Sequence, residues 1–404
     1  MIFVGVDWSE DHHDIDIRDP EGRQLAKRRI KHGVAGVTEL HELAAEFAAS
    51  PGEVIVGIEI DRGLLVASLV GAGYQVHAVN PRAVDRYRDR HALSGAKSDP
   101  GDALVLAELV RTDRHHHRTV AGDSDEIEGL KIIARSHQNL VWARTRHVLQ
   151  LRSTLLEYFP AALAAADGKA GSRDILAVLT VAPHPDQGRA LSRTRIETLL
   201  RRAGRTRNLA DRASVIHDAL QAPQLTASPA VTIAHAATAT SLVAVIAELT
   251  RQIERFDALV TDHFDQHPDA AIVRSLPGLG TILGARVLSE FGDDPNRYVD
   301  AKARRNYAGT SPITRASGKH HIVLARYVRN HRLADACDRW AFAALTSSPG
   351  ARRYYDEHRA AGATHRKAIR ALANRLVGIL HGCLTHHTLY EETIAWSRYR
   401  NIAA

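Results

Sequence analysis

The hydrophobic period of this 404-residue chain changes once, near residue 123. That change restricts the chain to a mixed α/β unit followed by a helical one. Ile2 to Val6 is an apolar, β-branched run that ends in Asp7. His12 to Arg18 alternates through His13, Asp14, Ile15, Asp16 and Ile17, the pattern of a half-buried strand. Gln24 to Ile30 reads as a third strand after the turn Pro20-Glu21-Gly22. Helical spacing over Val37–Ala49 is followed by a buried-type strand, Val54–Ile58, which ends in Glu59. A helix over Leu64–Gly71, a strand over Tyr74–Val79 and a helical stretch opened by Asn80-Pro81 complete the order β-β-β-α-β-α-β-α. Early antiparallel hairpins distinguish this order from a doubly wound sheet.

Beyond residue 123 the spacing is that of long helices. One heptad-like stripe runs through Ile127, Leu130, Ala134, His137, Val141, Arg144, Val148, Leu151 and Leu155. A second runs through Leu242, Val245, Leu249, Ile253, Phe256, Val260 and Phe264. Pattern alone leaves open an antiparallel coiled-coil arm or two helices of an ordinary bundle. Between the stripes, Ser192–Arg212 carries seven arginines, Arg201, Arg202 and Arg205 among them, against Glu197 and Asp211. This favours phosphate contact over a plain solvated face. The expected domains are 1–122, 123–267 and 268–404.

Lys and Arg total 53 against 46 Asp and Glu, a formal charge of +7 that allows a polyanionic partner without demanding one. Aromatics are 5% of the chain, too few for recognition built mainly on base stacking. The two cysteines, Cys337 and Cys383, form no CxxC pair, which excludes zinc-ribbon and disulfide frameworks. No apolar run approaches the roughly 18 residues of a membrane span, and the start lacks signal-peptide features. A cytoplasmic protein without a membrane partner is expected.

The most informative residues are Asp7, Glu59, Asp99 and Asp102. The first two end strands; the second two lie three apart in Lys97-Ser98-Asp99-Pro100-Gly101-Asp102-Ala103, ahead of a helix over Ala103–Val110. Gathered together, four carboxylates repel, and their joint ionisation calls for cations. An all-oxygen site suits Mg2+, and two such ions serve phosphodiester chemistry. Taken singly, each acid reads as a turn residue or, for Asp99, an N-cap.

Two later segments complete the candidate set. Pro277-Gly278-Leu279-Gly280 resembles a helix-hairpin-helix turn, with Gly278 and Gly280 allowing phosphate approach; a turn used only for packing reads equally well. From Ala301 to Ala334 there is no acid, whereas Arg304, Arg305, Arg315, Lys319, Arg326, Arg329 and Arg332 are basic. That stretch identifies a polyanion surface and no nucleophile. His115-His116-His117 reads as a solvated linker, and Lys97 and His320-His321 carry no decisive signal.

In order and spacing these motifs resemble the DEDD-type transposases of bacterial insertion sequences, the bridge-RNA-guided recombinases, over essentially the whole chain. Gly5-Val6-Asp7, Gly57-Ile58-Glu59 and the Asp99/Asp102 pair resemble the acids of the family's RuvC-like, RNase H-type domain. Leu276–Gly280, the string from Ala308-Gly309 through Pro312 to Ser317-Gly318, and Tyr354-Tyr355-Asp356 to Lys367-Ala368 resemble its C-terminal domain. The resemblance implies an α/β RuvC-like domain, a helical coiled-coil arm and a mainly α C-terminal domain. It further implies a DNA transposase that cuts and rejoins strands by Mg2+-dependent transesterification, with Ser317 as nucleophile. Donor and target DNA, a structured noncoding guide RNA and a homo-oligomer are the implied partners. The family usually has small residues after Glu59, where this chain has Ile60-Asp61-Arg62-Gly63, so Asp61 stands as a second-choice ligand. Ser311 is the rival to Ser317. The alternatives are a metal-dependent nuclease or junction resolvase without a covalent intermediate, and an inactive nucleic-acid-binding relative.

Overall fold

The computed structural model describes residues 1–91, 98–120, 122–317, 320–327 and 329–397. The chain divides into two compact units, Met1–Gly122 and Asp123–Ala404.

The first unit is built on a six-stranded sheet. Its strands are β1 (Ile2–Trp8), β2 (His12–Arg18), β3 (Gln24–Lys31), β4 (Val54–Ile58), β5 (Gln75–Ala78) and β6 (Arg118–Thr119), in the order β3-β2-β1-β4-β5-β6. β1 to β3 form an antiparallel meander, β4 joins β1 in parallel, and β5 joins β4 in parallel. This is the mixed α/β, RNase H/RuvC-like arrangement. The helices are α1 (Val34–Ala45), α2 (Leu64–Gly71), α3 (Pro81–His91) and α4 (Asp99–Asp113).

Strand alternation sorts the two faces. Ile2, Val4, Val6, Ile15, Ile17, Val54, Val56 and Ile58 form one core with Leu40, Leu43, Leu65 and Leu69 of α1 and α2. Phe3 and Ile55 point the other way, onto Val105, Leu106, Leu109 and Val110 of α4. Further along that second face, Gly5 and Gly57 are register partners. A Cβ on Gly5 would lie 1.8 Å from the Ala103 carbonyl oxygen, and one on Gly57 2.6 Å from that of Leu106. Two glycines side by side thus open a lane in which the α4 backbone rests directly on the sheet.

The second unit is mainly helical. A paired core of α5 (Asp125–Tyr158) with α11 (Pro229–Gln266) holds five shorter helices at one end: α6 (Pro160–Ala166), α7 (Arg173–Val181), α8 (Pro185–Arg189), α9 (Arg193–Arg202) and α10 (Leu209–Gln221). Ser124 caps α5 by accepting from the Ile127 amide, and Asp125, Glu126 and Glu128 occupy the first turn, where negative charge is favoured. At 1.5 Å per residue, helices of 34 and 38 residues run about 50 to 57 Å. Leu151, Leu155 and Tyr158 of α5 and Ala239, Leu242 and Ile246 of α11 pack with the short helices in one core. Ile127 and Leu130 at the start of α5, with Val260 and Phe264 near the end of α11, belong to another.

That second core continues through α12 (Ala270–Ser275), α13 (Thr281–Phe291), α14 (Ala301–Tyr307), α15 (His331–Ser347), α16 (Pro349–Ala360) and α17 (His365–His386). The hairpin β7 (Ile313–Ser317) and β8 (His320–Leu324) between α14 and α15 contributes no residue to it and leaves Ile322, Val323 and Leu324 exposed. Trp340 is fully buried and donates its indole N–H to the Pro277 carbonyl at 2.9 Å. By length and composition alone, α11 is apolar enough to cross a membrane. Its Ala- and Thr-rich first half, not an unbroken apolar run, makes it so, and Ala236, Ala239, Leu242, Val243 and Ile246 are buried within the unit.

Candidate active site

The acids of the first unit collect at the open end of the glycine lane. Asp7 lies two residues beyond Gly5 on β1, so it follows the face on which α4 rests, and Glu59, the first residue after β4, acts on it through its charge. α4 runs antiparallel to β1 and β4, which brings its first turn, with Asp99 and Asp102, to the same end. Burial pushes the Asp7 carboxyl up to about 6, and the charges of Asp102, Asp99, Glu59 and Asp14 add to the rise in that order. Asp102 is buried and accepts from Arg88 of α3; Glu59 and Asp99 are exposed.

Sequence reasoning missed two members of the group. Asp14 is the antiparallel partner of Asp7 across the β1–β2 hairpin. The Asp14 and Asp99 carboxylates and the His12 imidazole bring one ligand atom each within 4.8 Å of one another. Arg29 of β3 donates to both Asp14 oxygens, at 3.1 and 2.8 Å, and lies 3.7 Å from Asp99. The visible signal was the alternation of β2, which places His12 and Asp14 on one face; their nearness to Asp99 depends on hairpin register and on the path of α4. A second group, Asp113, His115 and His116, is exposed at the far end of α4. Asp61 is exposed in the bend after β4. The strand ends at Ile58, so alternation does not carry on to Asp61.

The basic candidates divide. Arg304 is buried, with its guanidinium 4.6 Å from the Tyr298 ring centre and 5.2 Å from that of Phe291, and burial lowers its pKa. Arg332 donates to Gln138 and Asn139 at 2.9 Å each and stacks over Trp142. Arg205 donates to Asp174 at 2.7 and 3.0 Å, Arg201 pairs with Glu197 at 2.7 Å, and Arg202 is exposed. Arg315 is exposed on β7, and Arg326 donates to Asn306 at 3.3 Å. Gly278, at φ 80°, would place a Cβ 2.6 Å from the Ala344 amide, so its lack of a side chain serves packing against α15. Gly280, the N-cap of α13, is exposed and has open space around it. Lys97, Gly318 and Lys319, and the side chains of Ser317 and His320, lie outside the described residues.

Residues 4–160 match the family model of a DEDD-type transposase, and residues 270–356 match the model described as transposase of the IS116/IS110/IS902 family. The chain is 43% identical, over all of its own length and 98% of the relative's, to the mini-circle putative transposase for IS117 of Streptomyces coelicolor. It belongs to the IS116/IS110/IS902 transposase family. It is also 30% identical to an uncharacterized 42 kDa protein of insertion element IS900 from Mycobacterium paratuberculosis, covering 96% of this chain and 97% of that one. An uncharacterized 44.8 kDa protein of insertion element IS116 from Streptomyces clavuligerus is 30% identical, with 96% of each chain covered.

The chain is an enzyme that acts on DNA by metal-dependent phosphodiester chemistry. The expected transesterification through a serine nucleophile is corrected. The matched DEDD domain and the clustered carboxylate and imidazole ligands support a metal-dependent, RuvC-like nuclease mechanism. Such a site needs only water as nucleophile. Ser317 stands on β7 in the other unit, paired through its backbone with His320, and its assigned role came from resemblance alone.

Proposed function

We propose that this transposase cleaves DNA phosphodiesters hydrolytically, with Asp7, Glu59, Asp99 and Asp102 holding Mg2+. The observation that carries the proposal is the gathering of carboxylates around Asp7: burial raises Asp7 to about 6, and the charges of Asp102, Asp99, Glu59 and Asp14 add to the rise. Carboxylate oxygens gathered from several elements suit a hard divalent ion. Bound there, Mg2+ would activate a water and stabilise charge on the scissile phosphate. Asp7 and Glu59 present oxygens from adjoining strand ends, and Asp99 and Asp102 from the first turn of α4. Arg88 holds Asp102, and Arg29 holds Asp14 beside the group.

The proposal extends to the partners. DNA is the substrate; a structured noncoding RNA and further copies of the chain complete the assembly; 123–267 forms the arm and 268–404 a nucleic-acid-binding domain. Supercoiled plasmid and branched DNA incubated with Mg2+ or with EDTA test the chemistry. Cleavage only with the metal, ending in free 5′ and 3′ termini, is expected. Metal-independent cleavage, or product covalently attached to protein, would refute it.

A further inference from the structure

The second unit contains a cleft of about 270 Å³ lined by Gly309, Thr310, Arg329, His331, Arg366 and Arg370, with Asp335 and Asp338 on its wall. Its two acids are already engaged. Asp335 receives Arg286 at 2.7 Å and Arg339 at 3.1 Å, and Asp338 pairs with Arg366 at 3.3 Å. Arg329 and Arg370 have no hydrogen-bond or ion-pair partner among the described residues. The Arg329 stem lies against Gly309, where a Cβ would come within 2.3 Å of its Cδ, and its Nε is buried without an acceptor. A guanidinium nitrogen withdrawn from water and left unpaired is costly unless a ligand completes it.

We infer that this cleft binds one backbone phosphate of a nucleic acid between the Arg329 and Arg370 guanidiniums. A phosphodiester supplies the anionic oxygens that a planar guanidinium fork matches. Gly309, at φ 70°, leaves room beside Arg329, and the engaged acids leave the cleft with surplus positive charge. The inference rests on the nucleic-acid-cleaving reading for its ligand class. It needs no metal, so it is tested in EDTA.

Fluorescence anisotropy with a labelled DNA duplex and, separately, a labelled RNA hairpin reads binding across a salt series. In the Arg329→Gln/Arg370→Gln variant the slope of log affinity against log salt falls by about one unit, and affinity at about 0.1 M salt drops about tenfold. The arm that loses affinity identifies the source of the phosphate. The control Arg251→Gln/Arg352→Gln removes the same charge from exposed pairs with Glu248 and Asp356 and keeps the slope. An unchanged slope in both arms, or an equal fall in the control, overturns the site. Should the Gln variant lose its cooperative melt, Arg329→Lys/Arg370→Lys decides: a retained slope with several-fold weaker binding supports the site, and unchanged binding overturns it. Metal-dependent cleavage, measured separately, can fail without altering this result.

Discussion

The two units treat charge in opposite ways. In the first, carboxylates from β1, β2, the end of β4 and the start of α4 are brought together, with Arg29 on Asp14 and Arg88 on Asp102. In the second, several acids are matched to arginines, as in Asp174 with Arg205, Glu290 with Arg135, and Asp335 with Arg286, while Arg329 and Arg370 in the cleft have no partner among the described residues. Each unit thus gathers side chains of one sign at one place, where a ligand of opposite sign would fit. A divalent cation suits one, and a phosphodiester the other.

Asp7→Asn strikes the acidic side hardest. It should lower the Mg2+-dependent cleavage rate about a thousandfold, on the order of 4 kcal/mol of transition-state stabilisation. DNA affinity measured in EDTA should stay within about twofold; a variant that still cleaves at the parental rate would remove Asp7 from the site. Gly5→Val tests how the acids are gathered. The added side chain must displace the α4 backbone, at a cost of about 3 kcal/mol or more in urea unfolding. Unchanged stability would break the account of the glycine lane.

The raised Asp7 carboxyl predicts a smaller, pH-dependent effect. Between about pH 4 and 6 the folded state holds more protons than the unfolded one, so metal-free stability falls as pH rises through this window. Melting in EDTA should show that fall, and added Mg2+ should raise the melting temperature more at pH 7 than at pH 5. Equal stabilisation at both pH values would uncouple Asp7 from the cation. The smallest effect is expected from Ser317→Ala, which should leave cleavage within about twofold. A complete loss would restore the serine route and end the division of labour between the units.

Much of the first unit was legible because its signals are local. The bounds of β2, β4 and α2 coincide with the alternation, the buried apolar run and the helical spacing that announce them. β1 extends to Trp8 because Asp7 and Trp8 pair with Asp14 and His13, a cross-strand fact invisible in a window of sequence. The same register hid Asp14 and His12 as neighbours of Asp99. Among the basic residues, Arg205 and Arg304 looked available because their partners are distant in sequence: Asp174 lies 31 residues from Arg205, and the aromatic bed of Arg304 requires α13 and α14 to meet. The serine chemistry had no physical signal of its own, only resemblance, and this is the expectation that was corrected.

The α5–α11 pair has a consequence of its own. Because the apolar clusters at its two ends share these helices but few side chains, the pair behaves as a strut with separately packed fittings. Residues 160–221 can change in size or surface while the far fitting keeps its contacts. The tip is thus the place where relatives can diverge without dismantling the rest of the fold.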